Sequence, residues 1–164
     1  MRVDRQGFSS IVQEYSQPLY WHIRRLVVRH DDAEDILQET LVKAYRHIWT
    51  LQNPSSLRAW LYRIATNEAN RFLSRRIKSE EMSETLVGKL FASEYVNYEM
   101  DAEVKLQKAI LTLPASQRTV FCLKYYDDMD YDEISKITGS KPETLKVNYH
   151  YAKEKVKEFL EILY

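Results

Sequence analysis

The chain has 164 residues, with 24 lysines and arginines against 24 aspartates and glutamates, so its formal net charge is zero. A zero net charge argues against a protein that coats DNA indiscriminately, and the single cysteine, Cys122, excludes a disulfide within the chain. Three glycines, four prolines and 45% hydrophobic residues favour an all-α protein with a packed core. No apolar run is long enough to span a membrane, so the sequence predicts a soluble, cytoplasmic protein with no direct membrane insertion.

The first two predicted helices lie in the N-terminal third of the chain. One runs from about Gly7 to Val28, and Pro18 is expected to kink or split it because proline lacks a backbone N–H. The next begins at Asp31, which can form a capping box with Glu34. Its inner apolar stripe comprises Leu37, Leu41, Ala44 and Ile48. Its outer face carries acids and an amide: Glu34, Asp35, Gln38 and Glu39.

A third predicted helix follows the loop-forming Asn-Pro-Ser-Ser at residues 53–56 and reaches about Ile77. One side of it is apolar. The other side is a ridge of cations and small polar groups with an aromatic at its start: Trp60, Arg63, Asn67, Asn70, Arg71, Ser74 and Lys78. Cations bind phosphates, amides can bind base edges and aromatics stack on unpaired bases, so the ridge is typical of a surface for melted nucleic acid. Trp60 alone is equally consistent with a half-buried packing residue.

Charge is segregated along the chain. Residues 57–78 are rich in arginine and contain one acid, Glu68, whereas residues 79–103 are acidic and contain one base, Lys89. The apolar residues of 79–100 are irregularly spaced, which favours an acidic, flexible linker. The sequence therefore predicts two small helical domains, residues 1–78 and 101–164, joined by this linker.

The C-terminal domain has the pattern of a helix-turn-helix. Two helices come first, the second from Ala115 to Tyr126, with Val120, Phe121, Leu123 and Tyr125 available for the core. Gly139 can take the positive φ that ends a helix, and Pro142 suits the first turn of the next. The exposed face of that last helix offers donors for phosphates and base edges: Lys141, Thr144, Lys146, Asn148 and Tyr151. A three-helix bundle with a solvated lysine face is the alternative for these residues alone.

Three blocks of the sequence, taken in order, resemble segments of bacterial sigma factors. The polymerase-binding helix of sigma factors is similar to residues 32–48 of this chain, DAEDILQETLVKAYRHI. The promoter-melting segment resembles residues 56–76, SLRAWLYRIATNEANRFLSRR, and the promoter-binding C-terminal domain is similar to residues 113–156. The compact two-domain layout points to the extracytoplasmic-function (ECF) group of the sigma-70 family.

The resemblance implies a function and its partners. It implies a sigma factor, not an enzyme, that binds core RNA polymerase at the clamp coiled coil and the flap and directs initiation at promoter DNA, without a cofactor. It implies region 2 in residues 1–78, for polymerase binding and minus-ten recognition and melting, and region 4 in residues 101–164, for minus-thirty-five recognition. Family members are commonly restrained by an anti-sigma factor.

The resemblance also assigns residues to three surfaces. Core polymerase binding is expected at Glu34, Asp35, Gln38, Glu39 and Thr40. Minus-ten DNA binding is expected at Asn53, Ser55, Ser56, Arg58, Trp60, Arg63, Asn67, Asn70 and Arg71. Minus-thirty-five DNA binding is expected at Arg118, Lys141, Glu143, Thr144, Lys146, Asn148 and Tyr151. Glu143 stands where the family usually has glycine, and Tyr151 where arginine is frequent, so the target sequence cannot be copied from a relative.

Two other classes of protein compete with this interpretation. A two-domain helix-turn-helix regulator that binds DNA without polymerase would account for the C-terminal domain but not for residues 32–76. An enzyme is disfavoured because the four histidines lack metal-ligand spacing, so no metal site is predicted, and no glycine-rich phosphate loop occurs. Cys122 lies in an apolar run and is more consistent with a core residue than with a nucleophile.

Overall fold

The computed structural model describes residues 3–79 and 102–163, and all regular structure in these two stretches is helical, which confirms the all-α prediction. The helices are α1 (Arg5–Val27), α2 (His30–His47), α3 (Leu57–Ser79), α4 (Ala102–Leu111), α5 (Ala115–Tyr125), α6 (Tyr131–Thr138) and α7 (Pro142–Leu163). Short 3-10 turns occupy Ile48–Thr50 and Pro54–Ser56. The predicted linker lies, from residue 80 onward, outside the described residues.

Helix α1 runs without a break through Pro18, so the predicted split is wrong, while the predicted kink stays a prediction. The side chain of Asp4 caps its start by accepting a 2.7 Å hydrogen bond from the Gly7 N–H. Proline removes one backbone hydrogen bond, but Leu19 and Ile23 just beyond it are fully buried. Tertiary packing therefore keeps the second half of α1 helical.

Helix α2 begins one residue earlier than predicted, and the predicted cap at Asp31 is wrong. The N-cap position is Arg29, whose side chain makes no capping hydrogen bond. Val28 has a φ of 78°, so the chain turns sharply after α1 and helical geometry resumes at His30. Asp31 and Asp32 instead lie in the first turn, where carboxylates favour the positive end of the helix dipole.

The buried face of α2 is rotated relative to the predicted stripe. It is formed by Ala33, Ile36, Thr40 and Ala44. Leu37 and Leu41 are half-buried and pack against the edge of the core. The outer, polar face is unaffected by this rotation.

The predicted helix-turn-helix is confirmed in α6 and α7. Asp130 caps α6 by accepting a 2.8 Å hydrogen bond from the Glu133 N–H. Gly139 ends the helix in the left-handed region with a φ of 78°, and its N–H donates to the Ser135 carbonyl at 2.8 Å. Pro142 opens α7, as predicted.

One predicted core residue of the C-terminal domain is exposed. Tyr125 stacks on Phe121, with ring centroids 5.3 Å apart, yet 55% of Tyr125 is accessible. It lines the rim of an apolar groove of about 680 Å³ between α4, α5 and α7, together with Leu106, Tyr149 and Leu160. Because the groove is open to solvent, the side of the Tyr125 ring that faces it is accessible.

The two domains are in contact and share a hydrophobic core. The main cluster of buried residues contains Leu19, Ile23 and Leu61 from the N-terminal domain. It continues into the C-terminal domain through Leu111, Val120, Leu123, Met129, Ile134, Ile137 and Leu145. A second cluster, around Ile110 and Cys122, belongs to the C-terminal domain alone.

Candidate functional site

The outer face of α2 is an accessible row of acids and an amide. It is formed by Glu34, Asp35, Gln38 and Glu39, all exposed. Thr40 lies behind this row, because it is fully buried and its hydroxyl donates to the Ile36 carbonyl at 2.8 Å. The structure therefore brings together four of the five residues predicted to bind polymerase.

Ion pairs join α2 to α3 beside this row. The carboxylate of Glu68, 12% exposed, accepts from Lys43 of α2 and, at 3.1 Å, from Arg71. Arg76 reaches Asp32 at 3.5 Å. Glu68 was not predicted from the sequence, although it fixes the guanidinium of the predicted DNA contact Arg71.

The polar ridge of α3 is exposed as its periodicity predicts. Its accessible members are Arg63, Asn67, Asn70, Arg71 and Ser74. Trp60 is half-buried and packs against the main core, so both interpretations of its role are compatible with its position. The side chain of Lys78 lies outside the described side chains.

The loop before α3 is held by its own hydrogen bonds. The side-chain oxygen of Asn53 accepts from the Ser55 N–H at 3.1 Å and from the Ser55 hydroxyl at 2.9 Å. The Ser56 N–H donates to the Asn53 carbonyl at 2.9 Å. These bonds shape an exposed turn beside the start of the ridge.

Arg58 differs from the other residues predicted to bind the minus-ten element, because its guanidinium is bound by groups of the C-terminal domain. Its guanidinium donates to the Asp127 carbonyl at 2.5 Å. Its Nε lies 3.4 Å from the Glu133 carboxylate. Arg58 also lies over the Tyr62 ring at 5.9 Å.

The recognition surface of α7 is mostly open. Its exposed members are Lys141, Glu143, Thr144, Lys146 and Tyr151, and Asn148 is half-buried. Arg118 is 5% exposed, and its guanidinium donates to the Leu113 carbonyl at 3.0 Å. In this conformation Arg118 is buried and its guanidinium binds the turn between α4 and α5.

A buried polar cluster between the domains was missed by the sequence analysis. The Tyr62 hydroxyl donates to Asp127 Oδ1 at 2.8 Å, and His22 shares a 2.8 Å hydrogen bond with Thr66. His22 Nδ1 lies 4.0 Å from Asp127 Oδ2. Asp127 lies between α5 and α6, and a contact across 65 residues leaves no periodic signal in the sequence.

Burial governs the protonation of this cluster. Desolvation, aided by the Arg25 charge, lowers the pKa of His22 to about 3, so the ring is neutral at pH 7 and makes no ion pair with Asp127. Desolvation raises the pKa of Asp127, while the Tyr62 hydrogen bond and two arginines oppose the rise. Desolvation also raises the pKa of the Tyr62 hydroxyl.

We expect stability to fall on mild acidification because of His22. The pKa of His22 is lower in the folded chain than its value of about 6.5 in the unfolded chain. Below pH 6.5 the unfolded chain therefore binds a proton at His22 that the folded chain does not bind. The free energy of unfolding should then fall by up to about 1.4 kcal/mol per pH unit. Asp127 works in the opposite direction at lower pH, since its raised pKa favours proton uptake by the folded chain. Urea titrations at about pH 7.5 and about pH 5.5 measure the slope.

The control for this prediction is His22→Gln, which keeps a group able to bond Thr66 but does not titrate. Its unfolding free energy should show a flatter dependence on pH than that of the unmodified protein. Identical slopes for the two proteins would contradict the assignment to His22.

Other reactive groups give no enzyme-like site in the described part of the chain. Cys122 is fully buried, and burial raises the pKa of its thiol to about 12. Residues 3–79 and 102–163 contain no cluster of three histidine, cysteine or acidic side chains able to hold a metal ion. None of the helices described there is long and apolar enough to cross a membrane.

The fold and its surfaces define a class of protein: a two-domain helical protein with a helix-turn-helix and, on a separate helix, an exposed acidic face. Comparison with known families is more specific. Residues 11–78 match Sigma-70 region 2, and residues 103–156 match Sigma-70, region 4. The chain belongs to the ECF group of the sigma-70 family of RNA polymerase sigma factors. It is therefore a promoter-specificity subunit of RNA polymerase and not an enzyme.

Individual relatives agree with this assignment. The chain is 29% identical over 172 positions to the ECF RNA polymerase sigma factor SigW of Bacillus subtilis, covering 98% of this chain and 92% of that protein. It is 28% identical over 141 residues to the RNA polymerase sigma factor SigV of the same organism, covering 86% and 83%.

Two solved structures share the fold. The sigma factor RpoE of Bartonella quintana, crystallised in complex with the anti-sigma factor NepR, is 24% identical, with a TM-score of 0.78 over 96% of this chain and 98% of that one. CnrH, solved in complex with the cytosolic domain of CnrY, is 19% identical, with a TM-score of 0.68 over 97% of this chain and 90% of that one.

Proposed function

We propose that this sigma factor divides its work among three surfaces. The outer face of α2 docks on the clamp coiled coil of core polymerase. The loop at residues 53–56 and the ridge of α3 bind the melted minus-ten strand, and α7 reads the minus-thirty-five duplex. Region 2 then spans residues 1–78 and region 4 residues 101–164, with the linker between them. We place the protein in the cytoplasm, where its polymerase is.

The observation that carries this proposal is the position of the acidic row beside the cationic ridge. The row on α2 and the ridge on α3 are exposed on neighbouring helices, joined by the Lys43–Glu68–Arg71 ion pairs. A protein that only bound DNA would gain nothing from an exposed carboxylate row there, since carboxylates repel phosphates. A surface that binds cations of a protein partner beside a nucleic-acid surface accounts for both features.

Run-off transcription with purified core polymerase tests the proposal. The sigma factor should make core enzyme start at discrete sites on its own gene's upstream region, and core enzyme alone should not. A two-domain regulator that binds DNA unaided could not give core enzyme this ability. Initiation that requires a second sigma factor in the reaction would favour that alternative.

Two residues of α7 should separate affinity from sequence choice. Lys146→Ala removes an exposed ammonium and should weaken promoter binding on all sequences, lowering the slope of log K against log salt by about 0.9. Asn148→Ala removes an amide and should change the free energy of discrimination between base pairs at one promoter position by about 1–3 kcal/mol. Holoenzyme binding to a set of single-substituted duplexes, measured at several salt concentrations, distinguishes the two effects. An unchanged salt slope for Lys146→Ala would contradict the phosphate contact.

We propose further that the apolar groove of the C-terminal domain receives the polymerase flap. Its lining includes Leu106, Tyr125 and Leu160, with Lys153 and Lys157 at its margin. An apolar, exposed groove in a protein of this size is typical of an interaction site. A photo-crosslinker placed at position 125 should label the flap in the holoenzyme, and labelling elsewhere in the polymerase would redirect the assignment.

We propose finally that an anti-sigma factor restrains this protein. Support comes from RpoE and CnrH, whose structures were solved with NepR and with the cytosolic domain of CnrY. Adding the product of the neighbouring open reading frame should suppress run-off transcription in a dose-dependent manner. If transcription persists with that product in excess, the restraint does not come from it.

A further inference from the structure

The exposed face of α2 changes character halfway along the helix. Its N-terminal half carries the row of acids and an amide at residues 34–39. Its C-terminal half and the 3-10 turn that follows carry three large apolar side chains, Val42, Tyr45 and Trp49, which are 42%, 55% and 69% exposed. Single exposed apolar residues are ordinary on a protein surface, whereas a group of them is typical of an interaction site.

These three side chains form one continuous patch. Val42 and Tyr45 are three residues apart, and Tyr45 and Trp49 four apart, so consecutive members are neighbours on one helix face. The half-buried ring of Phe8 in α1 extends the patch, because it meets the Tyr45 ring edge-on with a centroid distance of 5.1 Å. Gln38 lies four residues before Val42, so the acidic row shares this face. We define the aromatic patch as Phe8, Val42, Tyr45 and Trp49.

The most exposed member of the aromatic patch is held in a fixed position. The indole Nε1 of Trp49 donates a 2.9 Å hydrogen bond to the Arg46 carbonyl, which satisfies the one polar group of the ring. The turn that carries Trp49 is anchored by Ile48 and Leu51, which are both buried, and the Leu51 N–H donates to the Ile48 carbonyl at 3.1 Å. A pre-positioned aromatic loses little conformational entropy on binding, as is typical of the residues that dominate interface energies.

The charges on this face favour a protein partner over a nucleic acid. Aromatic rings also stack on unpaired bases, but each base brings a phosphate with it. The exposed charged side chains of residues 34–46 are three acids, Glu34, Asp35 and Glu39, and one arginine, Arg46. Because this balance is negative, the face repels a phosphate chain and attracts a basic protein surface.

We propose that the aromatic patch is the apolar centre of the polymerase-docking surface, and that one clamp element covers the acidic row and the patch together. This inference rests on the docking role proposed above for the acidic row. From Asp35 to Trp49 the face is about 21 Å long at about 1.5 Å per residue, a length that one helix of a coiled coil can follow. The carboxylates orient the partner, and the buried aromatics supply most of the affinity.

Replacing the indole tests this division. Trp49→Ala should weaken binding to core polymerase about 30-fold, the effect of losing a dominant interface aromatic, and Tyr45→Ala about tenfold. The matched control is Trp21→Ala, which removes a tryptophan that is 48% exposed on α1. Trp21 lies about 20 Å along that helix from Phe8, so its removal should leave the affinity unchanged. Anisotropy titration with core enzyme gives the affinities, and urea midpoints check the folds.

Salt separates the two halves of the surface. The Debye length falls from about 10 Å at 0.1 M salt to about 4 Å at 0.5 M, so contacts between charges weaken while apolar contacts persist. The loss caused by Trp49→Ala should therefore be the same at both salt concentrations. The loss caused by Asp35→Lys with Glu39→Lys should shrink at the higher one. A Trp49→Ala defect that shrinks equally would contradict an apolar contact.

A photo-crosslinking residue at position 49 identifies the partner, and it serves even if Trp49→Ala does not fold. In the holoenzyme it should label the clamp coiled coil, and the same residue at position 21 should not. Labelling of promoter DNA or of another polymerase element from position 49 would overturn the proposal.

The failure of this inference is distinguishable from the failure of the docking role itself. If the protein with Asp35→Lys and Glu39→Lys binds core enzyme normally, the whole face of α2 is excluded as the docking surface. If that protein loses binding while Trp49→Ala and Trp21→Ala have equal affinities, the acidic row docks and the aromatic patch has no part in it.

Discussion

A protein in which Asp35 and Glu39 are both replaced by lysine should fail to form a holoenzyme with core polymerase. The two carboxylates are exposed, four residues apart and on one face of α2. If each carboxylate faces a cation on the clamp, replacing it with lysine turns an attraction into a repulsion. Like charges that face each other at an interface cost several kcal/mol. Since about 1.4 kcal/mol is a factor of ten in affinity, the loss should exceed about 100-fold. Titration of labelled sigma factor with core enzyme, followed by anisotropy, gives the affinity.

The fold should survive this change, because both residues lie outside the buried face of α2. Circular dichroism and the urea midpoint check it. A matched control is Glu154→Lys with Glu158→Lys, two exposed acids with the same spacing on α7. A folded Asp35→Lys, Glu39→Lys protein that binds core enzyme as tightly as this control would show that the docking surface is elsewhere.

A second large effect is expected when Asn67 and Arg71 are both replaced by alanine. These side chains are exposed on the ridge of α3, so closed complexes should form normally while promoter opening slows. Hydrogen-bonded contacts to bases are worth about 1–3 kcal/mol each, so losing both should reduce opening by about 30- to 25,000-fold. Glu68 keeps its ion pair with Lys43 after Arg71 is removed, which protects the fold.

Permanganate reactivity of unpaired thymines measures opening on native promoters and on promoters with a pre-melted bubble. The bubble should partly relieve the Asn67→Ala, Arg71→Ala defect, because the melting step is already complete. The recruitment defect of Lys146→Ala should persist on both templates and serves as the control. Normal opening of native promoters by the double variant would mean that α3 has no melting role.

Local patterns predicted most of the helical framework, since the information for it is local. The apolar spacing of α3 and the Gly139 and Pro142 signals of the helix-turn-helix depend on residues within one or two turns of one another. Local reasoning failed where tertiary packing overruled it. Pro18 is tolerated because buried residues follow it, and the start of α2 is set by the turn at Val28 and not by the capping preference of Asp31.

The accessible surfaces were predictable for the same reason, whereas the contact between the domains was not. The row on α2 and the ridge on α3 follow from helical periodicity alone. Exposure of Tyr125 and burial of Arg118 depend on which helices pack around them. The approach of Asp127 to Tyr62 joins residues 65 positions apart, and no spacing rule for single helices reports such a pair.

The burial of Cys122 has a consequence for how this protein can respond to oxidants. Oxidation of cysteine proceeds through the thiolate, and a thiol with a pKa of about 12 has a thiolate fraction on the order of 10⁻⁵ at pH 7. Cys122 is also fully buried in the second core cluster, so its sulfur is not in contact with solvent. The Cys122 thiol is thus poorly reactive, and because it is the single thiol of the chain, a redox signal read through a thiol must be received by a partner protein.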